Sequence, residues 1–416
     1  MNKSLESILT RLISIATKFI LVTFLAKTLT LSEYGIYQLV TYFTLISVYV
    51  FGMEYYMYGN REVAKGENNL EKISTHVNFF MTLLPITFSV QFIGLFILLP
   101  HEILNPLNIL IILFINFCDY FNQEVYRYLI MIQRIGKANL LLVIKSLTLM
   151  LLIVFYYLST GTLTIEITLL LMFVSYFILL ISTSFLFYKF ILLKRKIKIV
   201  RLSRNNFKEI FRFLKPFIGL MICTKGLEFF DKFAIEYYLG TTEVGIYGFL
   251  FSIASLIHVF VVSGFYIVYL PELVKLHENK NKVLLNKMYK FSLLTFVSSI
   301  ILSIGEVLSI GIILNIINKN DIVDNLNVLY ILLGAFFFLN LTLIPRLVLY
   351  VSGEDNLLMV VTAATFVLNV ILNLILIRFF SIEGAAVALL LTYFVGFLII
   401  TFKGNKVWSQ IKTEFL

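Results

Sequence analysis

Lysines and arginines set inside long apolar runs are the residues of this sequence best placed to do chemistry. Arg11 and Lys18 stand seven residues apart with Ser14 between them, which puts both cations on one face of a helix. Lys18 lies about 11 residues, or roughly 16 Å, into its run at the helical rise. A later run carries Lys225 and Lys232 at the same spacing, with Glu228 and Asp231 beside them, and another carries Lys145. A charge at the centre of a bilayer costs about 2.5–3.5 kcal/mol on insertion scales, so each needs a task or a partner. Cations lining a wet cavity would hold an anion such as a phosphate or pyrophosphate. Internal pairing is the competing use: Glu228 and Lys232 are spaced i,i+4, and Asp119 and Arg127 stand two turns apart. For Lys225, Lys232 and their acids both uses stand open. Lys18 and Lys145 have no acid within a turn on their own helices, which favours substrate contact. Arg11, Lys18, Lys145, Lys225 and Lys232 are the expected cationic substrate contacts, with lipid headgroups as the alternative partner of Arg11. Arg346 follows Pro345 and is expected to line a broken helix, whereas His258 reads as a satisfied interior histidine.

The elements that must hold these charges are membrane helices. Of 416 residues, 60% are hydrophobic and only 14% charged, and the mean hydropathy is +0.93. A soluble domain of this size needs far more charge on its exterior. The apolar runs are also too long for barrel strands. The fold class is therefore an all-α polytopic membrane protein. Windows of about 20 residues place twelve spans near 7–28, 35–58, 76–99, 107–131, 137–158, 164–188, 213–235, 244–270, 288–313, 325–350, 356–378 and 384–402. The first is read as a span rather than a signal peptide, because Arg11 and Lys18 interrupt it and no small-residue cleavage pattern follows. Cys118 and Cys223 fall inside spans and are expected as free thiols.

Twelve spans put both termini on one side. That side collects 23 loop lysines and arginines against three, Lys27, Lys319 and Arg378, on the other. The asymmetry makes both termini cytoplasmic. The charge lies in short loops rather than in a basic domain, which argues against a nucleic-acid partner. The largest basic block, residues 189–212, separates lobes at 1–188 and 213–416 and reads as a linker on anionic lipid, with a docking surface for a partner enzyme as the minor reading.

The two lobes echo each other. "EYGIY" from Glu33 returns as "EVGIY" from Glu243, and the match at an offset of 210 extends from Leu29/Leu239 to Lys65/Lys275. "GKANLL" from Gly136 and "GEDNLL" from Gly353 repeat the relation further on. Six spans per lobe is an even number, so the lobes share an orientation and are expected to be related by a pseudo-two-fold axis along the membrane normal, as in transporters that rock two halves about one site. The repeated turns themselves read as structural, with Gly breaking the loop and Tyr at the membrane interface.

No phosphate-binding GxxxxGK[ST], HExxH or Cys/His metal spacing occurs, so neither a cofactor nor a metal is expected, and transport is favoured over catalysis. A membrane glycosyltransferase would need a sizeable external loop bearing catalytic acids or bases, and every predicted external loop is short.

"FFDKFAIEYYLGTTEVGIYGFLFSIASL" resembles the signature of polysaccharide repeat-unit flippases, the Wzx type of the multidrug/oligosaccharidyl-lipid/polysaccharide exporter superfamily. The matching positions are Asp231, Lys232, Gly245 and Tyr247. "FVLNVILNLILIRFFSIEGAAVALLLTYFVG" resembles a later region, through Asn369, Asn373 and the turn Gly384-Ala385-Ala386. The resemblance implies two six-helix lobes opening alternately to each side of a bacterial inner membrane. It also implies a polyprenyl (undecaprenyl) pyrophosphate-linked oligosaccharide as substrate, its tail in membrane lipid, and a polysaccharide polymerase or glycosyltransferases as partners in O-antigen or capsule synthesis. The alternative in the same superfamily is a cation-coupled small-molecule antiporter.

Overall fold

In the computed structural model, residues 3–53, 55, 69–132, 134–193, 204–279 and 281–415 are described. The middle of the basic linker, the loop with Arg61 and Lys65 that is expected to be cytoplasmic, and the Arg11 side chain lie outside that set. The described residues hold helices and no strand: α1 (Lys3–Thr28), α2 (Leu31–Gly52), α3 (Asn69–Leu98), α4 (Pro106–Met131), α5 (Ile135–Thr160), α6 (Ile165–Phe187), α7 (Arg204–Leu239), α8 (Thr241–Val261), α9 (Ile267–Glu278), α10 (Val283–Ile317), α11 (Asn320–Asp324), α12 (Leu326–Val351) and α13 (Asp355–Phe415). Among the described residues, helix lies within each of the twelve predicted windows. Among the described residues, eight stretches, from Leu31–Gly52 to Asp355–Thr413, are long and apolar enough to cross a membrane. The helices α1, α4 and α7, which carry most of the intramembrane charges, are outside those eight. The chain is an all-α, multi-pass membrane protein.

Local chemistry ends the helices where the sequence carries turn residues. Asn105 accepts from the Asn108 N–H ahead of Pro106, so α4 starts with a side-chain cap and a proline at its first position. Gly161 closes α5 at φ 74°, and Gly353 takes φ 76° after α12, conformations that cost a Cβ-free residue little.

Residues 1–21 and 28–222 form one compact unit, and residues 22–27 and 223–416 form another. In the first, Tyr120 of α4 stacks on Phe51 of α2 at 5.4 Å and meets Phe80 of α3 at 4.5 Å. The start of α6 is tied to α2 by the Ile165 N–H, which donates to Glu33 at 3.1 Å.

In the second unit, a Cβ on Gly226 would sit 2.2 Å from the Phe366 ring, so α7 packs closely against α13 there. Helix α13 reverses at Ser381, which has φ 54° and ψ −140°. Its halves run antiparallel: Asn369 donates to Thr392 at 3.3 Å, and Thr365 lies against Gly396. The reversal therefore precedes the expected Gly384-Ala385-Ala386 turn. Gly384 instead packs on the Leu376 carbonyl, where a Cβ would come within 2.1 Å. The expectation of a broken helix at Pro345 is corrected, because α12 continues through that proline.

The repeated turns also depart from the reading made of them. Gly35 and Gly245 are not loop breakers; each lies inside a helix, one turn past its start. Tyr37 and Tyr247 are buried, at 5% and 0% exposure, rather than placed at an interface. Only the first copy has a side-chain cap, a capping box in which Thr30 accepts from the Glu33 N–H and Glu33 accepts from the Thr30 N–H. Gly240 caps the second copy at φ 92° with no side-chain bond.

Candidate functional site

Each unit buries a charged group of its own. In the first, Lys145 of α5 donates to Asp119 of α4. Asp119 stands 12 residues before the end of α4 and Lys145 10 residues after the start of α5. Those steps are about 18 and 15 Å along the helix axes, so antiparallel neighbours bring the two side chains to one depth. Asp119 is 3% exposed and Lys145 23%. The Lys145 ammonium also lies 5.9 Å from the centroid of the Tyr176 ring on α6. Lys18 of α1 lies within electrostatic range of both Asp119 and Lys145. It is exposed, and among the described residues it makes no ion pair. The cluster thus holds two cations for one acid.

The expected Asp119–Arg127 pair is corrected. Eight residues on one helix is a span that two short-range side chains do not bridge, and each finds a nearer partner. Arg127 donates to Glu124 at 2.6 Å, one turn away on α4. Glu124, 4% exposed, also faces His76 of α3 at 3.5 Å. His76 shares a hydrogen bond of 2.7 Å with the Tyr128 hydroxyl and stacks flat on Tyr55 at 4.2 Å. Sequence reasoning passed over Glu124 and His76, although Glu124 is an acid inside an apolar run in the same sense as Asp119.

In the second unit, Asp231 and Lys232 are both fully enclosed at 0% exposure, 2.9 Å apart. The Lys232 ammonium also donates to the Glu228 carbonyl at 2.6 Å and sits 3.3 Å over the Phe251 ring of α8, a desolvated cation–π contact. The Tyr247 hydroxyl donates to Asp231 at 2.6 Å. The expectations for this group change accordingly. Glu228 does not pair through its carboxylate with Lys232; it takes Lys225 at 2.6 Å. Lys232, wholly enclosed by these partners, is not open to a substrate here, whereas Lys225 at 18% and Glu228 at 44% exposure are partly open. Tyr247 and Phe251 were missed as partners because their bonds cross from one helix to the next. His258 is satisfied as expected, by Asn340 at 2.7 Å, and Asn340 in turn donates to Ser299 at 3.1 Å. Arg346 is half-buried on α12. Both cysteines are free, and no cluster of metal-ligating side chains occurs among the described residues.

Residues 3–277 match the polysaccharide biosynthesis protein family. The chain belongs to that family. Its fold is similar to that of "Lipid II flippase MurJ, inward closed conformation", with a TM-score of 0.75, 15% identity, and coverage of 98% of this chain and 89% of that one. It is similar also to an inward-facing multidrug resistance MATE family transporter of the MOP superfamily, with a TM-score of 0.64, 14% identity, and coverage of 99% and 95%. The outward-facing conformation of such a transporter matches at a TM-score of 0.59, with 14% identity and the same coverage. No curated protein matches the sequence. The fold expected from the resemblance, that of the exporter superfamily, is the fold observed.

Proposed function

We propose that this protein is a flippase that moves polyprenyl-pyrophosphate-linked oligosaccharide repeat units across the bacterial inner membrane by alternating access. Its termini are cytoplasmic, and lobes at 1–188 and 213–416 are joined by the basic segment 189–212. One observation carries the reading: Lys18 is exposed beside the Asp119–Lys145 pair. A cation held at that depth toward bare hydrocarbon is costly, so it needs water or an anion, and a pyrophosphate supplies the missing negative charge. Membership of the polysaccharide biosynthesis protein family supports a polysaccharide precursor as the cargo. A sugar headgroup cannot cross hydrocarbon unshielded, whereas a prenyl tail can remain in lipid throughout. The protein then acts by binding and moving its cargo, with no covalent step, and serves a polymerase and glycosyltransferases acting on either side of it.

A cation-coupled antiporter is the second reading. It draws on the fold likeness to multidrug transporters and on Asp119 and Glu124, buried acids whose present cations a coupling ion could replace. Transbilayer movement of a polyprenyl-pyrophosphate oligosaccharide in proteoliposomes, with Lys18→Ala alongside, separates the two. Protein-dependent movement that slows in the variant supports the flippase. No movement, in vesicles that exchange an organic cation for sodium or protons, would replace it with the antiporter.

A further inference from the structure

A cavity unconnected with the charged groups opens in the second unit, where α10 begins and α12 and α13 end. It encloses about 470 Å³, the volume of roughly sixteen liquid waters. One face of each helix builds it: α10 from Leu285 to Ser292, α12 from Leu341 to Val348, and α13 from Phe397 to Lys412. Ile344, Val348 and Phe397 make its walls apolar. At Gly404 the two helices touch, since a Cβ there would lie 2.9 Å from the Pro345 Cβ.

Polar groups are few along this trough. Pro345 has no N–H, so the Leu341 carbonyl lacks its i+4 donor, and the enclosed Thr401 hydroxyl has no hydrogen-bond partner. Along the edge of the trough are the exposed amides Asn286 and Asn405. Trp408 stands toward the end of α13 and Tyr289 one turn inside Asn286 on α10, both aromatic types that favour the headgroup boundary. The Lys412 ammonium lies 5.8 Å from the Trp408 ring centroid. Lys412 is the single charge in the lining, and no acid accompanies it. This end of the unit also carries Lys282, Lys403 and Lys406, the face expected toward the anionic cytoplasmic leaflet.

An apolar trough, exposed amides along its edge, and a cation beside a tryptophan at the helix ends match the profile of one phospholipid. The cation without an acid selects a headgroup with net negative charge, because a zwitterionic headgroup would find no partner for its positive end. We propose that this groove is a binding site for an anionic phospholipid, with its phosphate at Lys412 and one acyl chain laid between α10, α12 and α13. The occupant would link the ends of three helices of the unit. The site stands whether or not the transport reading above holds.

Trp408 is the only tryptophan in the chain, so fluorescence excited selectively at the tryptophan red edge reports on this mouth alone. The experiment places the full-length protein in nanodiscs with phosphatidylglycerol or phosphatidylcholine carrying brominated chains and measures Trp408 quenching. Half-maximal quenching is expected at a several-fold lower mole fraction of the brominated phosphatidylglycerol. Lys412→Gln should bring the two curves together, Lys412→Arg should keep them apart, and Ser292→Phe, which fills the trough, should weaken quenching by both lipids. Coincident curves for the unaltered protein would mean annular contact and no site. Relief of the quenching by unbrominated polyprenyl phosphate more strongly than by unbrominated phosphatidylglycerol would overturn the proposal in favour of a prenyl chain.

Discussion

Tyr247 donates its hydroxyl to Asp231 at 2.6 Å, and that bond joins the repeated turn to the most deeply enclosed ion pair of the second unit. The first copy of the turn has no such bond to make, because the position equivalent to Asp231 at the repeat offset is Leu21. In the second unit the repeated Gly-Ile-Tyr segment thus carries a bond to a buried acid. Hydrogen bonds to charged groups contribute about 1.5–3 kcal/mol. Tyr247→Phe should therefore lower the apparent melting temperature of the purified protein by several degrees. A melt indistinguishable from that of the unaltered protein would show that Asp231 is satisfied without it.

Asp231 and Lys232 should respond to substitution as a pair. Removing one partner of a buried ion pair strands the other charge, at about 3–5 kcal/mol, whereas removing both can be close to neutral. Asp231→Asn and Lys232→Met are each expected to reduce folded protein sharply. The double variant should recover much of the loss in a detergent thermal-shift series. Additive losses would show that the two side chains contribute independently.

Lys18 and Lys145 differ in what depends on them. Lys145→Ala leaves Asp119, 3% exposed, without its cation, so it should destabilise the protein, and Asp119→Asn added to it should restore stability. Lys18→Ala removes an exposed cation with no ion pair among the described residues, so the melt should hardly move. Its effect should fall on transport: loss of one charge-assisted contact to a phosphate corresponds to about tenfold or more in affinity. Comparing melts with proteoliposome flux separates the two roles. Equal flux in Lys18→Ala and the unaltered protein would remove Lys18 from the site.

The reversal in α13 offers a test of backbone strain. Ser381 holds φ 54°, where a side chain costs of order 1–3 kcal/mol and glycine costs little. Ser381→Gly should raise the melting temperature. Gly384→Ala should do the opposite and more strongly, because its methyl would meet the Leu376 carbonyl. Thermal shifts of the two variants in the same detergent give the signs directly, and a stabilised Gly384→Ala would refute the packing described here.

Much of the architecture was legible in the chain itself. Hydropathy over about 20 residues is a property of consecutive residues, so among the described residues helix lies within every predicted window, as with the caps at Asn105 and Gly161. The same local rule flagged Lys18, Asp119, Lys145, Asp231 and Lys232, because a charge within an apolar run stands out wherever the run ends up. Applied evenly, it would also have flagged Glu124.

Which charge meets which was decided only by tertiary structure. Lys145 reaches Asp119 across 26 residues of sequence because α4 and α5 run antiparallel and bring both to one depth. Tyr247 reaches Asp231 because α8 turns that face toward α7. Helix rotation and relative depth come from how whole helices pack, so spacing along one helix could propose Asp119–Arg127 but could not weigh it against a partner on a neighbour. By itself the sequence determined that these charges lie inside a helical membrane protein, since span length and charge density are local quantities. The packed helices alone decided that Lys232 is enclosed and Lys18 is left open, because enclosure depends on what stands on every side.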